Sequence, residues 1–275
     1  MIELTEHEIA DTRAAVVEAG RIAMRWFRQP HESWEKGPGQ LVTEADLAVD
    51  HFLKDALCGG GRDGWLSEET TDDRSRLTSH RVWVVDPIDG TRSFADGVAE
   101  FTVCVALVAA DRPLLGFVHN PATGEMFEAV AGRGAFHDGE PMRVSPVARL
   151  ADAHIVASRF ESRRRDFAAL MPTAALSSLG SLAYKLALVA TGRYDGYLSW
   201  RRTHDWDIAA AALLIEEAGG RITDAGGGTI QLNQAEPVHS GILAAGADLF
   251  PQLLAATAGP NAAYRADRRA RGLPD

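Results

Sequence analysis

Two carboxylates, Asp86 and Asp89, stand in the segment Trp-Val-Val-Asp-Pro-Ile-Asp-Gly-Thr-Arg-Ser-Phe that spans residues 83–94. Two acids on one bend repel each other unless a cation lies between them, and a divalent metal is the economical answer. Mg²⁺ takes about six oxygens, several from water and substrate phosphate, so acids at the ends of other elements are candidates for the same site. Leu66-Ser67-Glu68-Glu69 closes a short apolar run in two glutamates, and Asp207 follows Trp206 at the start of an Ala-rich helix. Thr43-Glu44-Ala45-Asp46 opens another helix with Thr43 as its N-cap. Taken singly, each has a plainer role. An acid in a first helical turn favours the dipole, Glu68 and Glu69 would be solvated charges, and Asp-Pro-Ile-Asp-Gly would be a tight turn.

The elements that must carry these acids are readable from pattern. Residues 81–85 are β-branched and aromatic, as in a buried strand. Pro87 is expected to end its ladder, and Gly90 to let the backbone turn beside a ligand. Thr5 and Glu8 form a capping box for a helix over 6–28, and a second helix is expected over 44–57. Strands at 81–86, 101–109, 113–119 and 125–130, joined by short turns, imply an antiparallel meander. Beyond it strands at 154–158, 174–177, 194–199 and 240–245 alternate with helices at 162–170, 181–191 and 207–218, a layered α/β unit. Residues 1–146 therefore form an N-terminal half with most of the acids, and 147–257 a C-terminal half that completes the site. Residues 258–275 hold Arg265, Arg268, Arg269 and Arg271 without apolar periodicity and read as a mobile tail.

At 275 residues, 46% hydrophobic and 24% charged, the chain can bury a sizeable core. Its net charge of −10 disfavours nonspecific binding to nucleic acid or acidic membranes. Cys58 and Cys104 are too few for a disulfide scaffold and too far apart for a CxxC site. No basic region leads into an apolar run at the N-terminus, and no stretch approaches the ~20 apolar residues of a membrane span. A cytoplasmic protein is expected.

The motifs LVTEAD (41–46), LSEE (66–69), WVVDPIDGTRSF (83–94) and WDIAAAALLIEEAGG (206–220) occur in the order and spacing of the inositol monophosphatase family, which the chain resembles from about residue 5 to 257. The resemblance implies an α+β fold, the layered αβαβα sandwich shared with fructose-1,6-bisphosphatases, and a Mg²⁺-dependent, lithium-sensitive phosphatase with two or three ions. It implies that Glu68, Asp86 and the Ile88 carbonyl hold one ion, and that Asp86, Asp89 and Asp207 hold a second. Asp207 rather than Asp205 matches the motif, leaving Asp205 as a helix cap. Asp46 and Thr91 match the pair that activates water, with Glu68 assisting, and Gly90 and Thr91 would give backbone N–H groups to the phosphate. A homodimer and a small phosphorylated metabolite as substrate are implied as well.

The ester itself is less defined. Where inositol phosphatases of the family carry a sugar-bonding glutamate, this chain has Trp200, which either stacks on a base or packs. Lys185, in the segment Gly180-Ser181-Leu182-Ala183-Tyr184-Lys185, and Arg92 match cations of the branch that hydrolyses 3′-phosphoadenosine 5′-phosphate, so a second phosphate is expected there; the plainer reading is that Lys185 snorkels from a helix. With Ser181 and Asp89 these are the candidate substrate contacts. Inositol 1-phosphate and histidinol phosphate are the alternatives. Some bacterial members associate with RNA or the transcription machinery, but an acidic chain that keeps every metal acid favours an enzyme.

Overall fold

The computed structural model describes residues 4–37, 40–162 and 175–270. Helix α1 (Glu6–Met24) opens on the expected capping box: the Thr5 N–H donates to Glu8 Oε2 at 3.0 Å, and the Glu8 N–H to Thr5 Oγ1 at 3.1 Å. It stops short of residue 28, where Arg28 takes a left-handed φ of 59°. A hairpin of β1 (Ser33–Gly37) and β2 (Gln40–Thr43) leads into α2 (Glu44–Cys58).

The first sheet has the order β3 (Gly64–Ser67), β4 (Arg81–Asp89), β5 (Thr102–Ala109), β6 (Arg112–Asn120), β7 (Glu125–Val130), β8 (Gly134–His137) and β9 (Glu140–Pro141). From β4 onward it is the expected antiparallel meander, while β3 joins β4 in parallel. A short helix α3 (Thr91–Ala95) follows β4.

The second sheet has the order β11 (Ala175–Leu179), β10 (His154–Ser158), β12 (Gly196–His204), β14 (Val238–Gly246) and β13 (Gly220–Asp224). Between β10 and β11 comes the turn α4 (Arg159–Ser162). The helix expected at 162–170 lies, but for its first residue, outside the described residues.

Helices α5 (Leu182–Ala190) and α6 (Asp205–Glu217) fill the space between the sheets. Both are buried on nearly every side, which is why their sequences are rich in Ala and Leu without an amphipathic stripe. Helices α1 and α2 cover the free face of the first sheet, and α7 (Phe250–Ala270) covers that of the second. The layers are therefore αβαβα, as expected.

The reading of 258–275 as a mobile tail is corrected as far as Ala270. The helix continues through Pro260, buries Leu253, Thr257 and Asn261 along one side, and sets Tyr264 against Trp200 at 6.0 Å between ring centroids. Two of those three buried residues are polar, so no apolar period was visible; Asn261 Nδ2 donates to the Ala225 carbonyl at 2.9 Å. Arg271 and the residues after it lie outside the described residues.

Candidate active site

In a regular strand, residues three apart face opposite sides. The β4 backbone does not end at Pro87, as expected, but carries a register irregularity between Asp86, opposite Cys104, and Asp89, opposite Thr102. Both carboxylates are buried and both feel the charge of Asp207. Gly90 follows at φ 93°, and a Cβ there would lie 2.8 Å from the Glu100 carbonyl and 3.0 Å from the Ser181 nitrogen, so glycine alone makes this turn.

Three elements bring acids to the end of β4. Carboxylate oxygens of Glu68, Asp86 and Asp207 all lie within 4.8 Å of one another. Glu68 follows β3, whose parallel pairing with β4 places it beside Asp86. Asp207 sits in the first turn of α6 and accepts from the His204 N–H at 2.7 Å, so it serves the helix terminus and the acid cluster together. Asp205 is not a cap: its carboxylate turns away to the Asn233 N–H at 2.6 Å and His239 Nε2 at 2.7 Å. Asp46, in the first turn of α2, accepts from the N–H and hydroxyl of Thr43 on Oδ2 and from the Thr91 hydroxyl on Oδ1 at 3.3 Å. The same Thr91 hydroxyl reaches the Ile88 carbonyl at 3.1 Å.

So many acids buried together resist ionisation. Burial, then the charge of Asp207, raises Glu68 to about 7. Burial raises Asp46 to about 6 against its Thr43 hydrogen bonds, and burial with the neighbouring carboxylates lifts Asp86 well above the carboxylate range. Lys36, on β1, is the cation in contact: Nζ lies 3.1 Å from Glu68 Oε1 and 2.6 Å from Glu69 Oε1. Asp86 Oδ2 is buried with no hydrogen-bond partner, while Oδ1 accepts from the Ile88 N–H at 3.1 Å. A buried carboxylate with an unpartnered oxygen, clustered with two further carboxylates, is a donor set for a hard divalent cation, and Mg²⁺ fits it.

An open cleft of about 1020 Å³ adjoins this cluster, with Asp89, Gly90, Ser181 and Asp207 on its lining. Ser181 Oγ donates to Asp89 Oδ2 at 2.5 Å, and the Ala183 N–H meets the same oxygen at 2.6 Å. Arg92 is exposed on the cleft. Lys185 lines the cleft but is 3% exposed, and its ammonium is engaged with the carbonyls of Leu179, Gly180 and Ser181. Burial pulls it down to about 8, against the charge of Asp89. Trp200 is corrected as well, since it packs into the core beneath α7 and does not line the cleft.

Three cleft arginines escaped the sequence reading: Arg159, Arg201 and Arg202. Along β12, Tyr197, Ser199 and Arg201 alternate onto the cleft while Leu198 and Trp200 enter the core. A register irregularity between Ser199 and Arg202 then lets Arg202 line the cleft beside Arg201. The Arg-Arg pair at the end of an apolar strand was the available signal; Arg159 had none.

Clustered carboxylates at the ends of elements, beside a hydroxyl–carboxylate pair and a cationic cleft, define a metal-dependent phosphomonoesterase. The profile of the inositol monophosphatase family matches residues 3–260. Inositol monophosphatase 2 of Solanum lycopersicum is 34% identical over 79% of this chain and 87% of its own length. Inositol-1-monophosphatase of Rhizobium meliloti is 34% identical over 84% and 88%. The crystal structure of extragenic suppressor protein suhB from Bartonella henselae superposes with a TM-score of 0.79 at 29% identity, covering 90% of this chain and 96% of that one. The chain belongs to the inositol monophosphatase family, Mg²⁺-dependent phosphatases of small phosphorylated substrates. Among the described residues no helix is long and apolar enough to cross a membrane.

Proposed function

We propose that the chain hydrolyses a phosphomonoester whose leaving group bears a second anionic group, with 3′(2′),5′-bisphosphate nucleotides such as 3′-phosphoadenosine 5′-phosphate as the first candidates. The observation that carries this reading is the placement of Arg92, Arg159, Arg201 and Arg202 on one cleft of a chain with net charge −10. Guanidinium groups suit phosphate by charge and by paired donors.

Glu68, Asp86 and the Ile88 carbonyl would hold one Mg²⁺, and Asp86, Asp89 and Asp207 a second. When bound, Mg²⁺ supplies Lewis acidity toward phosphoryl oxygens and lowers the pKa of water in its shell. Thr91 donates its hydroxyl proton toward Asp46 and the Ile88 carbonyl, which turns its lone pairs to accept from the attacking water. Asp46, raised to about 6, is suited to draw off that proton near neutral pH. Gly90 and Thr91 would hold the phosphate through backbone N–H groups, with Ser181 at the substrate side of Asp89.

The names of the relatives favour a second reading, inositol 1-phosphate. Histidinol phosphate, with its cationic leaving group, is opposed by the arginines. Phosphate release from 3′-phosphoadenosine 5′-phosphate, inositol 1-phosphate, histidinol phosphate and fructose 1,6-bisphosphate separates these readings. The expected result is the highest kcat/KM on a doubly anionic ester, lowered at least tenfold by Arg201→Ala with inositol 1-phosphate little changed. Equal rates on mono- and bisphosphates would sink the second-anion reading, and lithium-insensitive rates would count against the family mechanism. Capture of RNA polymerase or RNA, with no Mg²⁺-dependent phosphate release, would replace the enzyme reading altogether. A cytoplasmic homodimer remains part of the proposal.

A further inference from the structure

We propose that Lys185 is a positioning residue: its ammonium clamps the 179–181 loop and so fixes Asp89 for cation binding, without touching the substrate. This rests on Asp89 being a cation ligand.

Lysine has three N–H donors, and here each meets a main-chain carbonyl: Leu179 at 3.3 Å, Gly180 at 2.9 Å and Ser181 at 2.6 Å. Three carbonyl oxygens turned toward one point repel each other, and the ammonium is what makes their convergence favourable. The loop they belong to is held in an uncommon form. Ser181 takes φ 40°, a left-handed value that is strained for a non-glycine residue.

That conformation has a use. It places the Ser181 hydroxyl 2.5 Å from Asp89 Oδ2 and starts α5 so that the Ala183 N–H meets the same oxygen at 2.6 Å. With two donors on Oδ2, the carboxylate cannot rotate freely, and Oδ1 is left for another partner. Lys185 is 3% exposed, so its ammonium is committed to these carbonyls rather than to bulk water. The buried cation thus acts on Asp89 through one loop and two hydrogen bonds.

The test is Mg²⁺ binding to the substrate-free full chain by calorimetry, for Lys185→Met, Ser181→Ala, the double variant and Asp89→Asn. Lys185→Met keeps the length of the side chain and removes its charge. The expected result is a Kd for Mg²⁺ raised roughly 10-fold or more, the range for partners of metal ligands. Ser181→Ala weakens binding along the same path, and the double variant binds no worse than Lys185→Met, because both act through one loop. Unchanged Mg²⁺ affinity in Lys185→Met, or additive effects in the double variant, would overturn the clamp while Asp89→Asn still loses binding. If Lys185→Met does not fold, unchanged affinity in Ser181→Ala overturns it. Unchanged affinity in Asp89→Asn would instead remove the ligand assignment, and the clamp with it.

Discussion

The Thr91 hydroxyl lies between Asp46 Oδ1, at 3.3 Å, and the Ile88 carbonyl, at 3.1 Å, and so links the start of α2 to the end of β4. Removing it leaves the acid cluster intact and, on the proposed mechanism, would take away the group that orients water. Thr91→Ala is expected to lower kcat by about 10²-fold or more, within the range of general acid–base contributions, with Mg²⁺ affinity unchanged. Steady-state kinetics beside calorimetry check this, and Thr91→Ser should restore most of the rate.

Asp86 has one oxygen satisfied by the Ile88 N–H and one buried without a partner. An uncompensated buried carboxylate destabilises the fold that contains it. Asp86→Asn should therefore raise the melting temperature of the metal-free protein while abolishing turnover and the stabilisation by Mg²⁺. Thermal melts in EDTA and in Mg²⁺ would show it; a lower melting temperature in EDTA would count against the charge cluster as described.

The pH dependence of stability follows from the same groups. Glu68 at about 7 and Asp46 at about 6 hold protons in the folded state at pH values where the unfolded chain has lost them. Their contribution is fully present below the ordinary carboxylate range and is lost as pH rises through those values. In EDTA the melting temperature should fall between about pH 4 and about pH 7 on this account. The gain on adding Mg²⁺ should grow over the same window, because the cation needs the ionised acids.

At Gly241, φ is 78°, and a Cβ would come within 2.3 Å of the Ser199 carbonyl and 2.8 Å of Trp200 Cα. This close approach is where β14 accommodates the β12 irregularity that places both Arg201 and Arg202 on the cleft. Gly241→Ala should cost about 1–3 kcal/mol, a loss of a few degrees per kcal/mol in melting temperature. It should also narrow the preference for a doubly anionic ester, measured as a ratio of kcat/KM values.

The acids were legible because strand ends and helix starts are marked by local chemistry. Asp46 and Asp207 fall in first turns, and Asp86 ends an apolar run. The α/β layering of the second half followed from the alternation of its elements, and the full αβαβα order from the resemblance to the family. Short strands such as β3 and β8 carry too few residues for a period to show, and α7 hid behind polar residues that find buried partners. Lys185 and Trp200 were matched to substrate contacts by position in the family pattern, which says where a side chain begins; a carbonyl cage and the alternation of β12 decide where each ends.

Asp207 stands in the first turn of a helix whose residues from Ile208 to Ile215 are buried between the two sheets. A cation held there is tied to an element packed against both sheets. Its arrival should be legible far from the cleft, as slower amide hydrogen exchange along α6 and in the strands on either side. The molecule's deepest layer would then report, on a timescale of minutes to hours, what happens at its surface.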